Sequence, residues 1–478
     1  MADEENNVSE GATVYVPDLL YTGRRFESGL ALVCGPAGDV LAVECAEGAG
    51  GRVVRLRGRA LLPGMVNAHS HAFQRVIRGR TEFRSGERDS FWTWREAMYA
   101  AASALSPEDL YDASRMAFTE MALAGITAVG EFHYLHRTPE GDEYTDPNLL
   151  ARCVVRAARD VGVRVALLRV AYARAGFRRP PDERQKRFIE PDPARFIANT
   201  EALLKDFADE GEHPRAWVGV APHSVRAVPL EYLKEVCAFA GSRRLPVHMH
   251  VAEQPAENAA CLEETGRTPV RLLADEGLLG PRFTAVHAVH VTPEEVQALA
   301  AARSIVCACP TTERNLGDGV VPADRLLAAG VPVALGTDSH TQVDLLEDAR
   351  ELEYHLRLTR LERNVLAPVA DDEGSPVSAL AARLFDCATR SGASSIGFRG
   401  GELEPGRPAD FFTVDLNDPS VAGADSEDLL PAVVFSLSRA AVREVAVGGR
   451  LVVEDGRHAA QGETIERFKA LRRKLRGA

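Results

Sequence analysis

The sequence holds no C-x-x-C pair among its eight cysteines, which argues against a thiolate zinc site. No G-x-G-x-x-G follows an early strand, so the usual sign of a doubly wound dinucleotide-binding sheet is missing. No apolar run reaches the roughly 18 residues that a membrane-spanning helix needs. Positive charge is also short: 56 Lys and Arg stand against 69 Asp and Glu, a net charge of −13. Nucleic acid, whose phosphates demand clustered cations, is thereby excluded as a partner. A small anion is not excluded, because a local pair of arginines can outweigh the global charge. Residues 1–10 are polar and acidic, with neither a basic segment nor an apolar core of a signal peptide, so a cytoplasmic location is expected. The cysteines then read as unpaired thiols in a reducing compartment. A homodimer is the expected assembly.

What is present is a soluble-enzyme composition, 45% hydrophobic and 26% charged over 478 residues. Both ends read as short β pieces broken by glycine: 13–16, 30–34, 40–43 and 52–56, then 411–414, 442–447 and 450–453. Neither end can make a core alone, so the two are expected to pair into one small composite β-sandwich, residues 1–60 with 400–460. Between them, residues 61–399 alternate apolar strands with helical stretches. Strands are expected at 65–69, 127–133, 164–170, 216–222, 246–250, 283–287, 304–309 and 331–337. Helical periodicity marks 107–124, 229–240, 293–302 and 345–360, and Ser106-Pro107 and Thr292-Pro293 each place a cap before an N1 proline. Eight such units argue for an α/β fold, a (β/α)8 TIM barrel. Residues 174–196, charged and proline-bearing, are either a loop over the barrel mouth or a surface insertion. Residues 461–478 form a basic helix, with Arg467, Lys469, Arg472, Arg473, Lys474 and Arg476 read as a solvated face.

Ten of thirteen histidines fall at or just past the C-terminal ends of six expected strands. In a barrel these ends converge on one mouth, where chemistry sits. His69 and His71, two apart on a strand, point to one face and can share a metal. His250 ends the fifth strand, with Glu253 three residues on. Asp338 ends the eighth, where a buried carboxylate needs a cation. His69, His71, His250 and Asp338 are therefore the expected ligands of one divalent metal, zinc or ferrous iron. Such an ion lowers the pKa of its water to about 7. Glu253, His287 and Asp338 are the candidates for moving protons. The fourth strand ends in His223 rather than a lysine able to bridge two metals, so one metal is expected.

The order H-x-H, strand-five histidine, strand-six histidine and strand-eight aspartate resembles the amidohydrolase superfamily. The run Gly401-Glu-Leu-Glu-Pro-Gly-Arg-Pro-Ala-Asp410 resembles the return strand of its composite sandwich. Within the superfamily, His69-Ser-His-Ala-Phe-Gln-Arg75, Asp89-Ser-Phe-Trp-Thr-Trp-Arg-Glu96, Glu131-Phe-His-Tyr134, His223-Ser-Val-Arg-Ala-Val228 and Asn315-Leu-Gly-Asp-Gly319 resemble the formimidoylglutamate deiminases of histidine degradation. That resemblance implies hydrolysis of N-formimino-L-glutamate, a small dicarboxylate, to N-formyl-L-glutamate and ammonia. It implies Arg95 and Arg226 as carboxylate anchors, with Gln74, Tyr134 and His223 adding hydrogen bonds. Arg95 could instead pack on Trp92 or Trp94, and Arg226 could form an interior ion pair. The competing activity is deamination of a purine-like heterocycle by another enzyme of the superfamily. Cys309 stands where serine is frequent in the family, and it or Cys307 could line the pocket. His133, His136, His248, His290 and His340 are expected to pack or to support the site from behind, with His340, two residues beyond Asp338, the foremost candidate for an exception.

Overall fold

The computed structural model describes residues 11–84, 90–368 and 377–477. The N-terminal residues 1–10 and Asp89 of the aromatic run lie outside them. Five strands open the chain: β1 (Thr13–Tyr21), β2 (Phe26–Glu27), β3 (Leu30–Cys34), β4 (Val40–Cys45) and β5 (Arg52–Pro63). The barrel follows with β6 (Met65–Ser70), β7 (Ile126–His133), β8 (Arg164–Ala171), β9 (Ala216–Pro222), β10 (Val247–Val251), β11 (Phe283–His287), β12 (Ile305–Ala308) and β13 (Val333–Leu335). Four strands close the chain's second sheet: β14 (Phe411–Asp415), β15 (Val442–Val447), β16 (Arg450–Glu454) and β17 (Arg457–His458). All eight barrel strands overlap their expected positions, and their neighbours pair in parallel in chain order. Every residue of β7 and β8 is buried, as a parallel strand covered on both faces requires.

The two chain ends pair as their β-rich pattern implies. Antiparallel β5 and β14 join them, Phe411 opposite Pro63 through Asp415 opposite Arg59. Tyr15 and Phe411 pack edge to face at 4.7 Å within the sandwich core. The run 401–410 does not form the return strand itself. It is the turn that leads into β14, held by backbone bonds between Val40 and both Gly406 and Arg407. Pro405 and Gly406, the latter at φ +79°, favour a turn, and extended pairing begins only with the apolar Phe411.

Helix starts follow the caps seen in the sequence. The Ser106 side chain accepts from the Asp109 amide while Asp109 accepts from the Ser106 amide, and Thr292 and Glu295 repeat the arrangement. The C-terminal helix Gln461–Gly477 keeps Lys469, Arg473, Lys474 and Arg476 of the expected solvated face exposed, while Arg467 and Arg472 are partly buried against the barrel. Phe468 and Leu471 are buried, the Arg75 guanidinium sits 4.9 Å over the Phe468 ring, and Arg467 donates to Asp112 at 2.6 Å. Arg472 donates to the carbonyls of Val76 and Arg78, so this helix clasps the segment that carries Gln74.

Barrel and sandwich are joined by a buried ion pair. Arg164, at the start of β8, grips Asp410 in a fork at 2.8 and 3.0 Å, and both side chains are at most 2% exposed. Asp410 also accepts from the Gly448 amide at 2.7 Å, and Arg164 donates to the carbonyls of His213 and Pro214. Removing one partner strands the other charge in the interior. Asp410→Ala is expected to lower the unfolding free energy by about 3–5 kcal/mol, read from the shift of the urea midpoint.

Candidate metal centre and substrate pocket

The barrel closes between its first and last strands, and the candidate metal ligands sit on that closure. Ser70 bridges to Asp338, the Asp338 amide donates to the His69 carbonyl at 3.0 Å, and the His71 amide donates to the Asp338 carbonyl at 3.1 Å. Asn67 and Thr337 lock the same seam, Asn67 Nδ2 donating to Thr337 Oγ1 at 2.7 Å and the Thr337 amide to Asn67 Oδ1 at 3.0 Å. Because strand side chains alternate, this backbone arrangement sends His69 and His71 to one side, toward Asp338. His250 arrives from β10.

Four ligating atoms, one each from His69, His71, His250 and Asp338, lie within 4.8 Å of one another. His71 Nδ1 meets the Phe132 carbonyl at 3.0 Å and His250 Nδ1 meets the His223 carbonyl at 3.2 Å. A carbonyl only accepts, so each Nδ1 holds the proton and each Nε2 presents a lone pair. Yet His69 Nε2 lies 3.2 Å from both of those Nε2 atoms, and Asp338 Oδ1 lies 3.4 Å from His69 Nε2 and 3.3 Å from His71 Nε2. Burial lowers the pKa of all three imidazoles, that of His69 to about 3, so each carries a single proton at neutral pH, and the one proton His69 could place on Nε2 cannot answer two facing imidazoles and a carboxylate at once. Lone pairs brought together in this way fit a cation. The spacings also match the edge of a tetrahedron with bonds of about 2 Å. Burial works against the Asp338 charge, but the neighbouring His69, His71 and His287 hold its carboxyl well below the usual range.

Beside the quartet lies a proton-handling group. His287, ending β11, meets Glu313 Oε1 through Nδ1 at 3.2 Å, while its Nε2 lies 3.7 Å from Glu253 and 3.9 Å from Asp338. Burial alone would discharge this imidazole, yet the surrounding carboxylates push its pKa well above the ordinary value. Burial lifts the Glu253 carboxyl to about 7, with His287 opposing. Glu313 was not foreseen. It opens the helix Pro310–Leu316 after β12, accepts from the Cys309 amide at 2.9 Å, and so aims the His287 ring.

Backbone strain gathers at the same mouth. Ala252 (φ +53°), His287 (+71°), Ala288 (+50°), Asp338 (+46°) and His340 (+57°) are left-handed without being glycine. Each costs roughly 1–3 kcal/mol and persists because packing overrides it. These positions turn the ends of three strands toward one point.

The mouth opens into a pocket that encloses about 540 Å3 of space, part of it open to solvent. The structure brings all five expected substrate residues to its wall: Gln74, Arg95, Tyr134, His223 and Arg226. Gln74 Nε2 donates to the Tyr134 hydroxyl at 2.8 Å, leaving Gln74 Oε1 buried with no partner among the described residues. Tyr134 and His223 stand next to the quartet, their rings 5.1 Å from His71 and 4.8 Å from His250. Arg95 does lie over Trp92, at 4.5 Å, and over Tyr99, at 5.4 Å, so the aromatic packing weighed above coexists with pocket exposure. Arg226 forms no interior ion pair at contact distance among the described residues; it donates to the Ala175 carbonyl at 3.4 Å and lies beside the Tyr172 hydroxyl.

The sequence reading missed Tyr99, Tyr172 and Phe188 on the pocket wall. Tyr99 lies one helical turn after Arg95 in the helix Phe91–Ala104, and Tyr172 directly follows β8, so both carried a signal. Phe188 comes from the segment 174–196, which therefore covers the mouth as one of its two readings held. Cys307 and Cys309 do not line the pocket. They pack inside the barrel with Ala68, Val286 and Ala334. His136, His248 and His290 bond to backbone carbonyls, and His340 bonds to Ser70 and Thr337, each away from the pocket.

The amidohydrolase family profile matches residues 60–452. A formimidoylglutamate deiminase from Pseudomonas aeruginosa is 40% identical over 412 residues, covering 86% of this chain and 88% of its own length. An 8-oxoguanine deaminase from the same organism is 29% identical over 398 residues, covering 83% and 82%. Among solved structures, an amidohydrolase from Brucella melitensis superposes with a TM-score of 0.88 at 34% identity, covering 97% of this chain and 99% of its own. The chain belongs to the amidohydrolase family, and its cluster of three imidazoles and a carboxylate has the donors to hold a divalent metal.

If the four converging side chains hold the ion, Asp338→Ala removes the only anionic ligand. Metal content after zinc supplementation is expected to fall from about one equivalent to below roughly 0.2, measured by elemental analysis. Glu313→Ala is expected to keep the metal and to lower kcat/KM by about 10–100-fold, because His287 loses its orienting carboxylate.

Proposed function

We propose that this chain hydrolyses N-formimino-L-glutamate to N-formyl-L-glutamate and ammonia in histidine degradation. The observation that carries the reading is one pocket with the metal cluster at its floor and two guanidiniums on its wall. The deiminase relative, 40% identical over most of both chains, supports it. His69, His71, His250 and Asp338 would hold the ion, and the three-imidazole, one-carboxylate donor set favours zinc, with ferrous iron the alternative. Bound there, a divalent ion supplies Lewis acidity and a water acidic enough to attack at neutral pH.

The chain's own residues do the rest. Arg95 and Arg226 take the distal carboxylate, for which planar guanidiniums are suited. Gln74, Tyr134 and His223, next to the cluster, serve the carboxylate nearer the reacting carbon. Water adds to the formimino carbon, and Glu253 takes its proton. With a carboxyl poised near neutrality, Glu253 passes first this proton and then that of the new hydroxyl to the nitrogen, which leaves as ammonia. His287, kept charged by three carboxylates, steadies the negative charge that develops as water adds to the formimino carbon. The carbon–nitrogen double bond thus becomes the formyl carbonyl, one water consumed and one ammonia released.

The aromatic wall and the 8-oxoguanine deaminase relative give the heterocycle reading its support. A flat ring, however, has no use for two guanidiniums. A reducing compartment, the cytoplasm, suits a chain whose eight cysteines are all free. A twofold homodimer is the assembly such chains most often adopt.

Ammonia release is to be measured with formiminoglutamate, formiminoaspartate and guanine side by side. Formiminoglutamate is expected to give the highest kcat/KM, and preference for guanine would reverse the assignment. Arg226→Ala is expected to lower kcat/KM for formiminoglutamate more than about 100-fold, near 2.7 kcal/mol of transition-state binding, and an unchanged value would remove Arg226 as an anchor.

A further inference from the structure

The segment 174–196 ends one of its side chains deep in the pocket wall. Gln185 is 2% exposed, and its Nε2 donates to both the Tyr99 and the Tyr172 hydroxyl, each at 2.8 Å. The amide's orientation is set from behind. Gln185 Oε1 faces the Asp182 backbone amide at 3.4 Å, and an N–H there requires an acceptor. Both protons of the Gln185 amide are therefore spent on the two phenol oxygens. A phenol oxygen that accepts keeps its own O–H proton to donate. Among the described residues, no acceptor takes the proton of either hydroxyl. Both tyrosines line the pocket beside Arg95 and Arg226. The Arg95 guanidinium lies 5.4 Å from the Tyr99 ring centre, and the Tyr172 ring packs 4.5 Å from His223.

Resting on the deiminase reading, we infer that Tyr99 and Tyr172 are further specificity-determining residues, whose hydroxyls donate to the substrate's distal carboxylate, and that Gln185 is the positioning residue that makes both of them donors. Two guanidiniums attract any anion. Two hydroxyls fixed as donors at a set separation add a requirement of shape, because the carboxylate must reach them while its other end meets the metal cluster. A ligand without that carboxylate leaves two buried donors unanswered, which is how polar sites reject analogues. The covering segment thereby becomes part of substrate selection through a residue that touches no substrate.

The test compares Y99F, Y172F, the Y99F/Y172F pair and Q185M in the metal-loaded enzyme. Substrates are formiminoglutamate and the formimino derivative of 2-aminobutyrate, which lacks the distal carboxylate. Each phenylalanine change is expected to raise KM for formiminoglutamate about tenfold, with kcat within about threefold, and to leave the shorter substrate unaffected. Q185M is expected to raise KM by a similar factor in the native background and by less than about twofold in the Y99F/Y172F background, because its effect passes through those hydroxyls. Unfolding midpoints and metal content of each variant separate these effects from misfolding. If the native enzyme turns over formiminoglutamate and the tyrosine variants keep their KM within about twofold, the inference fails while the deiminase reading stands. Additive effects of Q185M would overturn its positioning role. A native enzyme inactive on formiminoglutamate would overturn both.

Discussion

The closure of the barrel between β6 and β13 is the constraint on which the site depends. An eight-stranded cylinder needs its last strand to find its first, and here that meeting is made by the same residues that form the metal cluster. The backbones of His69, His71 and Asp338 bond to one another, so their side chains converge because the barrel is shut. Gly336 makes the approach possible: a Cβ there would come within 2.7 Å of the His69 Cβ and 3.0 Å of its backbone nitrogen. The site is therefore not an ornament on a finished scaffold. Its floor is the last joint of the scaffold, and the left-handed backbone at Asp338 and His340 is tolerated because closure demands that path.

Burying so many ionisable groups in one place is costly unless their charges answer each other. Glu253, Glu313 and Asp338 surround a single protonated His287, and Glu257 accepts from the Glu253 amide behind them. Asp318 lies close by, but burial first, and the nearby Glu253, raise its carboxyl to about 9, so it is protonated near neutrality and adds no charge to the group. The neutral imidazoles add nothing to offset this excess of carboxylate. A divalent cation among His69, His71, His250 and Asp338 balances it, which is a second physical reason, besides the facing lone pairs, for a metal at this position.

Much of this was legible because barrel strands write themselves as continuous apolar runs and place chemistry at their C-terminal ends. That rule located the cluster, and Tyr172 would have been found by applying it once more to β8. Glu313 and Gln185 were harder. Each acts through a contact whose partner is distant in sequence, and period or propensity holds no trace of a hydrogen bond between residues 99 and 185. The C-terminal helix misled in part, for another reason. Its arginines look like a solvated face until Asp109, Asp112 and the carbonyls of Val76 and Arg78 are seen opposite them, and an amphipathic pattern does not say whether its charged side meets water or other charges. Cys309 sits at a strand end yet faces the barrel interior, because side-chain alternation decides direction within one residue.

The pocket divides its labour along its length. In the proposed reaction, Arg95 and Arg226 would meet a carboxylate that is the same in substrate and in transition state, so they would contribute uniform binding and act on KM. Glu253 and His287 meet groups whose charge changes as water adds, so they act on kcat. In that reading, two guanidiniums let a chain of net charge −13 hold a dianion in the pocket that also holds Glu253. Burial is the larger influence on Glu253: it lifts the carboxyl to about 7 although His287 and Arg226 both pull it down, so the group that must move protons keeps its basicity within the field of an anchor.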